Sequence, residues 1–148
     1  MAWLLLLSLQ ETCMALTEQK LTPQPEHAGL RVLVVEDEEA ARIATLRYLQ
    51  NCGHDVEAAG TAAEALEKAD DLRPDVLVCD WKLAGRRDGI DVARLLQKRY
   101  GVAVIFVTAY ALNDLRRNIS DLGSVDCLRK PISLHTLAAV VHSVTTSH

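Results

Sequence analysis

Aromatic side chains are scarce: one Phe, two Trp and three Tyr make up 4% of the 148 residues. Any core must therefore be aliphatic, drawn from the Leu, Val, Ile and Ala that dominate an apolar fraction of 49%. That fraction, beside 24% charged residues, excludes a disordered, collagenous or fibrous chain, and the length suits one domain. Positive charge is also short, with 16 Lys and Arg against 20 Asp and Glu and a net charge of -4. A general binder of nucleic acid or of an anionic membrane needs the opposite field. The four cysteines are Cys13, Cys52, Cys79 and Cys127, and no two stand at Cys-x-x-Cys spacing. This argues against a zinc ribbon or a thioredoxin-type site and suits a reducing cytoplasm. The apolar start, Met1 to Leu9, falls far short of the roughly 20 residues that cross a bilayer. It also lacks the basic opening and small-residue cleavage site of a secretory signal. Residues 1–29 read as a tail and linker, either unstructured or begun at too early a Met, with Pro23 and Pro25 keeping its end extended.

From Leu30 onward, short β-branched runs alternate with stretches of helical spacing. The predicted strands are Arg31–Val35, Asp55–Ala59, Asp75–Cys79, Val102–Val107 and Val125–Arg129. The first predicted helix, Glu39–Asn51, turns Ala40, Ile43, Leu46 and Leu49 inward and stops at Gly53. A capping box, Thr61-Ala-Ala-Glu64, opens a second helix to about Asp70. A third runs from Gly89 to Tyr100 with Ile90, Ala93, Leu95 and Leu96 inward, and a fourth from about Asn113 to Asp121. Ser133 caps a last helix bearing Leu134, Leu137, Val141 and Val144. The pattern is a (βα)5 unit of the α/β class over residues 30–148, with a parallel sheet covered by helices on both faces. Such sheets collect their functional residues at the carboxyl ends of the strands.

At those ends stand Glu36, Asp37, Glu38 and Glu39 after the first strand, Asp80 after the third, Thr108 after the fourth, and Lys130-Pro131 after the fifth. Carboxylates of Glu36, Asp37 and Asp80 on one rim repel one another in a partly dry cleft and call for a cation. Oxygen ligands with room for water suit Mg²⁺ or Mn²⁺. Lys130 as a point charge and Thr108 as a donor complete a site for a tetrahedral anion.

In this order and at these separations, Val-Val-Glu36-Asp37, Val-Cys-Asp80, Val-Thr108-Ala109 and Arg-Lys130-Pro131 resemble the receiver domain of bacterial two-component response regulators, from about Leu30 to Thr145. The resemblance implies a doubly wound, flavodoxin-like sheet of strand order 2-1-3-4-5. It implies that Asp80 takes a phosphoryl group from a phosphohistidine on a sensor histidine kinase or phosphotransfer protein. Asp37, Asp80 and the backbone carbonyl of Lys82 would bind Mg²⁺, Glu36 acting through water. Thr108 and Lys130 would hold phosphate oxygens, and the peptide before Pro131 would be cis. The output would be the face of the fourth helix, fifth strand and fifth helix. That face would bind a downstream protein or a second copy, without direct contact to nucleic acid or membrane, in the cytoplasm.

Several residues depart from the family pattern. Glu36 replaces the more frequent aspartate of the acidic pair. The stretch between Asp80 and Asp88 is one residue longer than the commonest form and lacks its proline, so Gly85 absorbs the turn. Cys127 stands where the family carries a switch Tyr or Phe, and Tyr110 is an aromatic near enough to take part of that role. Trp81 adjoins Asp80 and could pack over the cleft. Lys82 and Tyr110 flank the expected path of attacking water, which points to a long-lived phosphorylated form. Two other functions compete. A haloacid-dehalogenase-type phosphatase needs an acid two residues after its nucleophile, where this chain has Lys82. A phosphorylation-independent interaction module has no need of the full set of site residues. The expectation is a phospho-acceptor and not a turnover enzyme, standing alone without an output domain.

Overall fold

Runs of Val, Leu and Ile become strands here because a central strand buries both faces, and the amphipathic stretches between them supply the covers. The computed structural model describes residues 29–144. Along them run β1 (Arg31–Val35), α1 (Glu39–Asn51), β2 (Asp55–Ala59), α2 (Ala62–Leu72), β3 (Val76–Cys79), α3 (Gly89–Tyr100), β4 (Ala103–Thr108), α4 (Leu112–Asn118), β5 (Val125–Arg129) and α5 (Leu134–Ser143). The strands form one parallel sheet in the order β2-β1-β3-β4-β5. The chain is thus the parallel α/β fold that the alternation predicts, in the doubly wound strand order that the resemblance implies. Strand order reverses between β1 and β3, which opens a crevice beyond their carboxyl ends.

Every residue of β3 and β4 is buried, as is β1 after Arg31, whereas the edge strands β2 and β5 are only partly covered. One core lies on the face of Leu33, Val35, Leu77, Cys79, Val104 and Phe106, under Ala65, Leu96 and Leu115 of α2, α3 and α4. The other joins Val32, Val34, Val78, Ile105 and Val107 to Leu49 of α1 and Leu137 and Val141 of α5. Caps fix where the helices begin. Thr61 accepts from the Glu64 amide while Glu64 accepts from the Gly60 amide. Asp88 and Asp91 form a reciprocal capping box on α3, and Ser133 accepts from the Thr136 amide on α5. Gly85 adopts φ 111 in the loop after β3, a left-handed conformation that only glycine takes without strain.

Four details differ from the sequence expectation. On α1, Ala40 and Ile43 face outward, and the packed face is half-buried Arg42, Thr45 and Leu46 with buried Leu49. A strict i, i+3 row drifts by about 60° per step around a helix, so it cannot stay on one face. Leu95 is 36% exposed, because Ile90, Val92, Ala93 and Leu96 already fill the inward stripe of α3. Helix α2 runs on to Leu72, while α4 ends at Asn118, short of Asp121. Strands β3 and β4 each start one residue later than expected. Apart from Gly29, the tail and linker of residues 1–29, including Cys13, lie outside the described residues. Among the described residues no helix is long and apolar enough to cross a membrane.

Candidate functional site

Main-chain ladders bring the acids together. Beyond the end of β1 the Glu36 amide donates to the Ala59 carbonyl at 3.0 Å, and the Asp80 amide donates to the Val35 carbonyl at 3.1 Å. Glu36 and Asp80 are therefore neighbours across the β1–β3 crevice, their side chains each only 12% exposed. Lys130 reaches in from the end of β5, its Nζ 2.9 Å from Glu36 Oε2 and 2.9 Å from Asp80 Oδ2. Its backbone amide donates to the Thr108 carbonyl at 2.8 Å, and the Lys130–Pro131 peptide is cis. Burial alone would lower the Lys130 pKa, but the bonds to the two carboxylates outweigh it and raise the pKa above the ordinary lysine value. Carboxylate oxygens of Glu36, Asp37 and Asp80 all lie within 4.8 Å of one another. Three hard oxygen donors at that spacing fit a divalent cation such as Mg²⁺, whose charge would offset their repulsion.

Thr108, at the end of β4, is fully buried, and its hydroxyl accepts the Tyr110 amide at 3.2 Å. The start of α3 presses on Asp80 from below: a Cβ at Gly89 would lie 1.9 Å from the Asp80 carbonyl oxygen and 2.7 Å from Cys79 Sγ. Only glycine fits there. Burial, and then the negative charges of Asp80, Asp88 and Glu36, hold the Cys79 thiol well above its ordinary range, so it stays a neutral packing group.

The aromatic and variant positions fall around this centre. Trp81 is buried, and its Nε1 is without a hydrogen-bond partner. The Tyr110 ring meets the Trp81 ring edge-on at a centroid distance of 5.7 Å, and Lys82 Nζ sits 4.4 Å over the indole. Trp81, Lys82 and Tyr110 thus form one cluster linking the loops after β3 and β4. Cys127 is half-buried on β5 opposite Phe106, and burial raises its thiol pKa. On the α1 and α5 side the site opens into a mostly apolar cleft of about 520 Å³, lined by Val34, Ala41, Thr45, Ile132 and Leu137.

Sequence reasoning missed Arg42. Its Nη1 donates to the Glu36 carbonyl at 2.9 Å and to the Asp37 carbonyl at 3.4 Å. The signal was a cation on the packed face of α1, in line with Thr45, Leu46 and Leu49.

Comparison with known proteins agrees with this fold. The family model of the response regulator receiver domain matches residues 32–142. A transcriptional regulatory protein, PdtaR of Mycobacterium tuberculosis (strain CDC 1551 / Oshkosh), is 33% identical over 112 residues, 75% of this chain and 54% of that protein. The sensor kinase CckA of Brucella abortus (strain 2308) is 35% identical over 131 residues, 86% of this chain and 14% of the kinase. The chain thus spans about half or less of these curated relatives. Among solved structures, the chemotaxis protein CheY4 of Vibrio cholerae superposes with a TM-score of 0.73 at 26% identity, covering 79% of this chain and 99% of that one. A receiver domain protein of Methanospirillum hungatei JF-1 gives 0.73 at 27% identity, covering 80% and 95%.

Proposed function

The chain belongs to the response regulator receiver family of two-component signalling, and from that premise we propose that Asp80 is its phospho-acceptor. One observation carries the reading: three carboxylates within 4.8 Å of one another, bridged by Lys130 Nζ at 2.9 Å from two of them. Asp80, at the carboxyl end of β3, attacks the phosphorus of a phosphohistidine on a sensor histidine kinase or phosphotransfer protein. A P–O bond forms, the P–N bond breaks, and the imidazole leaves as the neutral base after taking up a proton. Asp37, Asp80 and the Lys82 carbonyl, with Glu36 acting through water, would hold Mg²⁺ or Mn²⁺, which would supply positive charge to the transferring group. Lys130 releases its carboxylate partners and neutralises phosphoryl oxygens, and Thr108 donates its hydroxyl to another. The Thr108 hydroxyl already contacts the Tyr110 amide, so its new bond draws on the loop that leads into α4. Tyr110 and Trp81 carry that movement in place of the missing aromatic at Cys127. Lys82 and Tyr110 restrict the approach of hydrolytic water and prolong the phosphorylated state. The α4–β5–α5 face then binds a downstream protein, or a second copy, in the cytoplasm. The chain is a phospho-acceptor and not a turnover enzyme.

The test is incubation of the full chain with acetyl phosphate and Mg²⁺, read by intact mass. The wild type gains one phosphoryl group, and Asp80→Asn gains none. A wild-type chain that binds Mg²⁺ yet never gains mass would overturn the reading.

A further inference from the structure

We propose that Arg42 and Gly60 act together as positioning residues: the guanidinium, seated where Gly60 leaves room, holds the Glu36 and Asp37 carbonyls and so fixes the spacing of the carboxylates. The inference rests on the receiver reading above and concerns how this chain prepares its acid site for a divalent cation.

Arg42 has acids close by, yet its guanidinium takes main-chain oxygens instead. Nη1 donates to the Glu36 carbonyl at 2.9 Å and, more weakly, to the Asp37 carbonyl at 3.4 Å. Those carbonyls belong to the two residues whose carboxylates meet that of Asp80. The loop after β2 meets the guanidinium on another side. A Cβ at Gly60 would lie 2.8 Å from Arg42 Nη1 and 3.3 Å from Cζ, so the guanidinium rests against bare backbone. Gly60 is itself anchored, its amide donating to Glu64 Oε2 at 2.9 Å, and Glu64 pairs with Lys68 at 3.0 Å. The Glu36 amide bonded to the Ala59 carbonyl at 3.0 Å closes the circuit between the two loops. A half-buried arginine thus fastens the acidic loop to the loop after β2. Groups that orient metal-binding residues from behind govern affinity even without touching the ion.

Charge and position make opposite predictions, which is what makes the proposal testable. A cation beside a metal site repels the ion, so if Arg42 were only a charge its removal would tighten Mg²⁺ binding. If it positions the acids, removal loosens them and weakens binding. Gly60→Ala keeps the charge and displaces only the flexible end of Arg42, so it isolates position. The measurement titrates Mg²⁺ alone into the full chain and follows the amide resonances of Asp37 and Asp80. Hydrogen exchange at the Glu38 amide in the metal-free protein is the second readout, with thermal melts to check folding. Arg42→Met and Gly60→Ala are both expected to weaken Mg²⁺ affinity by about tenfold and to speed that exchange. Tighter or unchanged binding in Arg42→Met, or unchanged binding in Gly60→Ala, overturns the proposal. Should Arg42→Met fail to fold, Gly60→Ala alone decides. A wild-type chain without Mg²⁺ affinity would remove the receiver reading itself, a failure distinct from variants that bind as the wild type does.

Discussion

Lys130 carries the charge balance of the crevice, standing 2.9 Å from each of two carboxylates that are themselves mostly covered. Its place at the rim was legible in the sequence, since it directly follows the fifth strand, but its pairing with Glu36 and Asp80 was not. His54 was not legible. It follows α1 and receives the Leu30 amide on Nδ1 at 3.1 Å, which requires that nitrogen to be unprotonated. Burial, and then the nearby His142, lower its pKa below the ordinary value of 6.5. The folded protein therefore binds this proton less readily than the unfolded chain. Below about pH 6.5 the unfolded state gains protons first, so stability falls with pH until the folded-state value is passed. Thermal melts between pH 8 and 5 are expected to show this decline, and His54→Gln should flatten it. An identical slope in the variant would assign the effect to other groups.

Among the helices, α4 is the least secured. It spans Leu112–Asn118, has no side-chain cap at Ala111, and buries only Leu115. Its far end is held by α3: Arg94 donates to the Asn118 carbonyl at 2.8 Å and grips Asp121 at 2.8 and 3.1 Å, while Gln97 accepts the Gly123 amide at 2.8 Å. The end nearest Thr108 is the less secured one, which suits the response to that residue proposed above. Ala111→Asp supplies a cap and is expected to stabilise the protein by about 1 kcal/mol and to slow amide exchange in the first turn of α4. Urea unfolding and hydrogen exchange check both, and an unchanged midpoint would mean the helix start is already satisfied. The existence of α4 was readable from its sequence, but its end was not. Ile119 is apolar and buried yet leaves helical geometry, so an apolar pattern continues where the helix does not.

At the scale of the whole molecule, Lys130 offsets two of the acids gathered on the rim but not all three, so the proposed cation site would couple metal binding to folding. At a Mg²⁺ concentration 100 times its Kd, stability is expected to rise by about 2.7 kcal/mol. Asp37→Asn should lose most of that gain. Calorimetry with and without Mg²⁺ measures it, and a melting temperature indifferent to saturating Mg²⁺ would contradict the coupling. The sheet sets the scene for this by packing a separate core on each face, so that polar groups following β1, β3, β4 and β5 meet at the carboxyl ends of the strands.

By itself the sequence determined the alternation of strands and helices, the burial of the central strands, and the residues that follow each strand. These depend on local periodicity and on which side chains can leave water, and both are written residue by residue. The tertiary structure alone decided the partnerships: Arg42 on the carbonyls of the acidic loop, Gly89 against the Asp80 carbonyl, Trp81 against Tyr110, and Ile43 outward on α1. Each depends on how far one backbone approaches another and on the rotation of a helix about its own axis. Those are set by packing across the sheet, between residues distant in the chain.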